Sequence, residues 1–302
     1  MHGMAVPVHI ISGFLGSGKT TLMNHCLRTL PPERRVALVV NDFGTVPVDS
    51  RLVERSEYAM KELPSGCVCC TLSGPLVEAL ASIARDQDPE LIVMETTGIA
   101  NLAQVVQLFA CDALSSEISL GNIACVIDSS TFPRMERHFH ILREQVEQSN
   151  TVIVNKVDKA GAECLEATRL RVEVLAQPDA ITVETTQAQI DPHLLLRSRP
   201  NYLPASSQVA HKHVHEFTAC TIEGDETYCL ERLAACVSGL GENILRVKGI
   251  IRTDQGPRLI QGSVAGLEIS LWAHEPDDSR LVVIGKDLDT RAIEATFQAC
   301  RV

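Results

Sequence analysis

The sequence lacks an excess of positive charge, with 27 Lys and Arg against 38 Asp and Glu for a formal net charge of −11. Nucleic acids and anionic membranes both ask for a basic surface, so neither is expected as the main partner. It also lacks any run of 18 uninterrupted apolar residues, and its first stretch, MHGMAVPVHIISGFLGSGKTT, has no basic region ahead of a short apolar one. Neither a membrane span nor a signal peptide is therefore expected. There is no internal repeat and no low-complexity tract. Eleven cysteines, an odd number scattered over 302 residues, fit a reducing compartment better than a disulfide framework, and a cytoplasmic protein is expected.

What is present is an alternation of apolar β-rich runs with helical patterns. Strands are expected at 6–12, 36–41, 91–95, 123–128, 151–156 and 180–184, with helices at 19–30, 74–85, 101–111, 136–148 and 163–176. Near-continuous apolar strands separated by helices imply an α/β fold, a mainly parallel sheet flanked by helices on both faces. The segment RSRPNYLPASSQVAHKH breaks this alternation with two prolines and three serines. It sets the expected organisation as a first domain over 1–197, a linker over 198–210 and a smaller α+β domain over 211–302.

The stretch GFLGSGKTT follows the first strand and opens a helix. That context makes it a phosphate-binding loop. Gly13, Gly16, Ser17 and Gly18 let backbone N–H groups turn toward phosphate, Lys19 supports the γ-phosphate, and the Thr20 hydroxyl, followed by Thr21, is placed for Mg²⁺. In NKVD at the end of a later strand, Asn155, Lys156 and Asp158 form a candidate base site. A carboxylate at Asp158 would accept from guanine N1–H and N2–H₂, whereas adenine would leave it unpaired, a difference of about 1 to 3 kcal/mol. Between the two motifs, LIVMETTG ends in Glu95 and Gly98, and VVNDFG places Asp42 at another strand end. Lys19, Asp42 and Glu95 are the residues expected to act on the phosphates and the attacking water, with the Gly98 N–H meeting the γ-phosphate.

Three thiols, Cys67, Cys69 and Cys70, fall within four positions of GCVCC. Cys67 and Cys70 have the spacing of a redox pair, but without a thioredoxin-like context. A closed structural zinc site would want a second C-x-x-C, which the chain does not have. Burial as small apolar side chains is a third reading, and it is the one taken for the other eight cysteines. The fourth is a three-thiolate site with an open position, suited to Zn²⁺ or another late divalent metal that must be exchanged. His211, His213 and His215 in HKHVH would share one face of a strand, either as an auxiliary metal site or as a solvated edge.

With the phosphate loop, NDFG, GCVCC, ETTG and NKVD in this order, the chain resembles the CobW-like, P47K-type branch of the G3E GTPases. The LRVKG and GKDL segments are similar to the family's C-terminal domain. Where members often carry Asn-Glu-Phe-Gly-Glu, this chain has Asn41-Asp42-Phe43-Gly44-Thr45. The resemblance implies a P-loop GTPase using GTP and Mg²⁺ that binds zinc, or cobalt, at Cys67, Cys69 and Cys70 and delivers it to a client protein or cofactor pathway. Slow intrinsic turnover is expected, because no arginine finger is placed in cis. Oligomerisation is compatible with this reading. A small-molecule kinase and a nucleotide-binding metal sensor or scaffold are the other functional classes that the motifs allow.

Overall fold

The computed structural model describes residues 5–31, 33–40, 59–62, 73–109, 117–197, 217–241, 243–263, 266–276 and 278–302. The chain divides into two compact units, one formed by the described residues up to 197 and the other by those from 217 onward. The expected linker at 198–210 lies outside the described residues.

The first unit is a seven-stranded parallel sheet. Its strands are β1 (Val6–Ser12), β2 (Val36–Val40), β3 (Ala59–Glu62), β4 (Leu91–Glu95), β5 (Ile118–Asp128), β6 (Thr151–Asn155) and β7 (Ile181–Glu184), in the spatial order β3-β2-β4-β1-β5-β6-β7. The chain runs from β1 outward to β2, then returns past β1 to reach β5. The strand order therefore reverses beside β1, the place where ligands bind beyond the carboxyl ends of such sheets.

The helices are α1 (Lys19–Thr29), α2 (Ser73–Gln87), α3 (Leu102–Leu108), α4 (Phe132–His138), α5 (His140–Glu147), α6 (Ala162–Leu175) and the short α7 (Pro192–Leu195). Because side chains alternate across a strand, Val8, Ile10, Ala37, Val39, Ile92 and Met94 point to one face, with Leu80 and Leu102 of α2 and α3. Ile11, Leu38, Leu91, Val93 and Ile153 point to the other, against Leu22, Met23, Cys26 and Leu27 of α1. Each face is thus closed by an apolar helix stripe. Pro31 follows the last residue of α1's cap and prevents its continuation.

Three differences from the sequence reading have physical causes. β5 begins at Ile118 rather than at 123, because its polar residues find partners inside the fold. Asn122 donates to the Leu194 carbonyl and accepts from Thr151, and its backbone N–H donates to Nδ1 of the buried His9. The single helix expected at 136–148 is two, α4 and α5, broken at Phe139, which is extended at φ −125°. The break turns the Phe139 ring onto Phe14 of the glycine loop, with centroids 5.8 Å apart. β3 is too short and mixed in composition (AMKE) to stand out from its surroundings.

Glu136 of α4 is buried and receives Arg143 of α5 at 2.7 Å and Arg171 of α6 at 2.8 Å. Burial opposes its charged form, yet the hydrogen bonds and charges of Arg171 and Arg143 outweigh it and hold the carboxyl below its usual range. This cluster fastens three helices to one another.

The second unit is an antiparallel sheet of β8 (Thr218–Gly224), β9 (Ile244–Ile251), β10 (Arg258–Ser263), β11 (Gly266–Leu271) and β12 (Ser279–Gly285), ordered β11-β10-β9-β12-β8. Helices α8 (Leu230–Ser238) and α9 (Thr290–Gln298) bring Leu233, Val237, Ile293 and Phe297 onto Val247, Ile251, Ile260, Leu281 and Val283. This agrees with the α+β expectation. No helix among the described residues is long and apolar enough to cross a membrane.

Candidate functional site

The glycine loop joins β1 to α1 in a conformation that its composition demands. Gly13 and Gly18 sit at φ +137° and +114°, where L side chains are strained, and a Cβ on Gly13 would lie 2.1 Å from the Val126 carbonyl of β5. Gly18 is the N-cap residue of α1 and has no side chain to cap it, so the helix start keeps its backbone donors and its partial positive charge. Lys19 is buried and folds back over the loop, donating to the Gly13 and Phe14 carbonyls at 2.9 and 3.1 Å. An ammonium and a helix N-terminus thus share the glycine loop. That donor set suits a polyphosphate.

Glu95 ends β4 in register with Ile11 of β1 and is 6% exposed. Thr20, the second residue of α1, donates its hydroxyl to Glu95 Oε1 at 2.9 Å. Sequence neighbours do not make this pair; the parallel β1–β4 register brings together residues 75 positions apart. A hydroxyl and a carboxylate beside a phosphate cradle are oxygen donors of the kind that fit a hard divalent cation such as Mg²⁺.

Past β4 the chain turns through Thr96, Thr97 and Gly98, with the Ala100 N–H donating to the Thr97 carbonyl at 3.0 Å. A Cβ on Gly98 would fall 2.5 Å from the Leu15 backbone nitrogen, so the turn packs directly on the glycine loop. Buried Gln145 of α5 holds this turn, its Nε2 donating to the Gly98 carbonyl at 3.2 Å and to that of Ala100 at 3.4 Å.

The other flank is built around β6 and the loop after β7. Asn155 is buried, donates Nδ2 to the Ser17 carbonyl at 2.8 Å and accepts from the Ala188 N–H at 2.8 Å. Its amide therefore joins the glycine loop to the 185–190 segment. Lys156, at φ +61°, donates to the Gly16 carbonyl at 2.8 Å and to Asp128 Oδ2 at 2.7 Å. Asp128 in turn accepts from the N–H and hydroxyl of Ser130. Asp158 is exposed on the turn closed by the Lys159 N–H and the Lys156 carbonyl at 2.9 Å. Across from it, Thr185 accepts from the Val157 N–H at 3.3 Å and Gln187 and Ala188 adopt positive φ.

Gly13, Gly16, Ser17, Gly18, Lys19, Thr20, Glu95, Gly98, Asn155, Lys156 and Asp158 thus lie along the carboxyl ends of adjoining strands. Thr21 is exposed at the start of α1. Asp42, the three cysteines Cys67, Cys69 and Cys70, and His211, His213 and His215 lie outside the described residues. Asp128, Gln145 and the 185–190 loop are additions that sequence reasoning missed. Asp128 had a readable signal, a carboxylate ending an apolar strand like Glu95. Gln145 had none.

Among the described cysteines, Cys26, Cys125, Cys220 and Cys300 are buried and Cys164, Cys229 and Cys236 are half-buried. Burial pushes the Cys26 and Cys125 thiols up to about 12, so both are inert packing groups. No group of three or more His, Cys, Asp or Glu among the described residues could hold a metal ion.

The model of the CobW/HypB/UreG nucleotide-binding domain matches residues 7–193, and that of the cobalamin synthesis protein CobW C-terminal domain matches residues 217–301. The chain is similar to the zinc chaperone YeiR of Escherichia coli, 27% identical over 97% of this chain and 98% of that one. It is 29% identical to the zinc chaperone CobW of Pseudomonas aeruginosa, over 95% and 89%. The zinc-regulated GTPase metalloprotein activator 1 of Schizosaccharomyces pombe is 35% identical across 62% of this chain and 47% of its own length. Among solved structures, Zn(II)-bound YjiA GTPase from E. coli aligns with a TM-score of 0.49 at 22% identity, covering 99% of this chain and all of that one. With the nucleotide-binding model spanning more than half of its 302 residues and the C-terminal model most of the remainder, the chain belongs to the CobW/HypB/UreG family.

Proposed function

We propose that this chain is a GTP-dependent metal-delivery protein, a GTPase that binds zinc at a thiolate site and hands it to a client. The observation that carries this reading is the row of paired residues Ile11, Glu95, Val40 and Glu62 across β1, β4, β2 and β3. It puts the Thr20–Glu95 contact and the departure point of the thiol segment on one edge of one sheet. Cys67 follows Glu62 by five residues, a length of chain that reaches at most about 18 Å, and Cys70 precedes the start of α2 by three. The names of the relatives, zinc chaperones and a zinc-regulated GTPase, support the same pairing of nucleotide with zinc.

In this reading Gly13, Gly16, Ser17, Gly18, Lys19, Thr20 and Thr21 hold the phosphates, and the Gly98 N–H meets the terminal one. Asp158 reads guanine, while Asn155 and Lys156 keep the loop beneath it in place. Thr20 and Glu95 would hold Mg²⁺, which supplies neutralisation of phosphate charge when bound. Cys67, Cys69 and Cys70 take the zinc as thiolates, leaving a position open through which it leaves; cobalt is the second metal of suitable chemistry. His211, His213 and His215 form a loading site, and Asp42 assists at the phosphate end. The client is a metal-dependent protein of the same compartment.

GTP favours one arrangement of the thiol segment and hydrolysis releases it. Moving such a site from 1:99 to 99:1 takes about 5.5 kcal/mol of differential binding, within reach of several charge-assisted hydrogen bonds to a γ-phosphate. The test is a zinc titration against a chromophoric chelator, with GTP and Mg²⁺, with GDP and Mg²⁺, and without nucleotide. Zinc affinity is expected to differ at least tenfold between the GTP and GDP states and to vanish in a Cys67→Ser/Cys69→Ser/Cys70→Ser protein. Equal affinity in all three states would refute the coupling.

A further inference from the structure

We infer that Gln145 is a positioning residue for the hydrolysis step, acting by fixing the turn that carries Gly98. The inference rests on the GTPase reading above and names a residue that reading does not require. Gln145 is 1% exposed on α5, between Leu142 and Val146, which are also buried. A neighbourhood of that kind is ordinarily filled by an apolar side chain. Here it holds an amide whose Nε2 donates to two carbonyls of one turn, those of Gly98 and Ala100. Its Oε1 is buried without a hydrogen-bond partner among the described residues. An amide half-satisfied in this way costs stability relative to a well-packed leucine, so packing does not account for it.

The turn it grips is the one that touches the glycine loop, where a Cβ on Gly98 would come 2.5 Å from the Leu15 nitrogen. The far end of the same helix is fixed as well. The Gln145 carbonyl accepts from the Ser149 hydroxyl, and Asn150 accepts from the Ile123 N–H of β5 at 2.7 Å just before β6 begins. β6 ends in Asn155, which holds the Ser17 carbonyl. Gln145 thereby references the Gly98 turn to the strand that also locates the glycine loop. Holding the Gly98 and Ala100 carbonyls fixes the peptide unit that follows Gly98, and through it restrains the backbone on which the Gly98 N–H stands. An N–H aimed at charge that develops on the γ-phosphate accelerates the reaction without strengthening product binding.

Two variants separate this role from a structural one. Gln145→Leu removes the amide and restores apolar packing, and Gln145→Met keeps the length of the side chain while removing both donors. GDP affinity, GTP affinity, melting temperature and single-turnover GTP hydrolysis are measured on the full chain. In both variants hydrolysis is expected to fall at least tenfold, about 1.4 kcal/mol in barrier, with GDP affinity unchanged within twofold. Gln145→Leu is expected to melt no lower than the parent. Unchanged hydrolysis with GTP bound would overturn the inference. So would a parallel fall of melting temperature, GDP affinity and rate in both variants, or failure of both to fold, since each marks a residue of the scaffold only. A parent chain that neither binds nor hydrolyses GTP would instead sink the GTPase reading, a result distinct from these.

Discussion

The phosphate flank and the base flank of the site use their polar side chains in opposite ways. On the phosphate flank, Lys19 and Thr20 make contacts that a ligand would take over: an ammonium resting on loop carbonyls and a hydroxyl resting on Glu95. On the base flank, Asn155 and Lys156 are bound to the scaffold through Ser17, Ala188, Gly16 and Asp128, and the exposed carboxylate of Asp158 is the group facing outward. Residues of one short motif can therefore differ in kind. Asn155 and Lys156 are held by the scaffold, and Asp158 is left exposed to solvent.

The largest effect expected from breaking this contrast is at Lys19. Lys19→Ala removes a charged donor from the phosphates, and with hydrogen bonds to charged groups contributing about 1.5 to 3 kcal/mol each, nucleotide affinity should drop by about 100-fold or more. Isothermal titration with GDP measures it, and a loss below about fivefold would show that the folded-back ammonium never engages a ligand.

Asn155→Ala and Asp158→Asn form a crossed pair. The first strips two buried hydrogen bonds and should lower folding stability by about 2 to 4 kcal/mol in urea unfolding, nucleotide or not. The second should leave the urea midpoint in place while reducing discrimination of GTP over ATP by about 10- to 200-fold. If both variants lose stability alike, the two roles collapse into one.

The smallest effect sharpens the comparison through β1, the strand beneath the glycine loop. Burial first, and the positive charge of Arg34 second, lower the pKa of His9 to about 4, so the folded chain keeps it neutral while the unfolded chain protonates it below about 6.5. Its contribution to stability is complete above pH 6.5, declines as the pH falls and is gone below about 4. Between pH 7 and 5.5 the loss is about 1 kcal/mol, and a His9→Gln protein should show a correspondingly flatter unfolding profile. An unchanged slope would mean that the His9 imidazole is not held out of water in the folded chain.

How far the site was legible depended on whether its partners are near in sequence. The loop from Gly13 to Thr20 is readable because a glycine-rich turn between strand and helix must be local. The apolar alternation of 36–40, 91–95 and 151–155 likewise gave strands, since five consecutive buried residues leave little alternative for a two-sided sheet. Glu95 could be suspected from its position at a strand end, but its contact with Thr20 depends on strand register. Gln145 and Asn122 were invisible for the same reason, as polar residues whose partners lie 45 and 72 positions away. The break at Phe139 was hidden because both halves have helical composition and the ring that Phe139 stacks on, that of Phe14, is 125 residues earlier.

One feature of the sheet has a mechanical consequence. β3 is four residues long, lies at the edge and has β2 as its neighbour, whereas β4 is clasped on both sides. Edge pairing of that length is held by a few backbone hydrogen bonds, each contributing about 1 kcal/mol net. It is the part of the sheet that can be surrendered most cheaply, while β1 and β4 keep the nucleotide floor intact. β3 is thus the sheet's weakest seam, and the work needed to detach it is a small fraction of the work needed to disturb Lys19, Thr20 and Glu95.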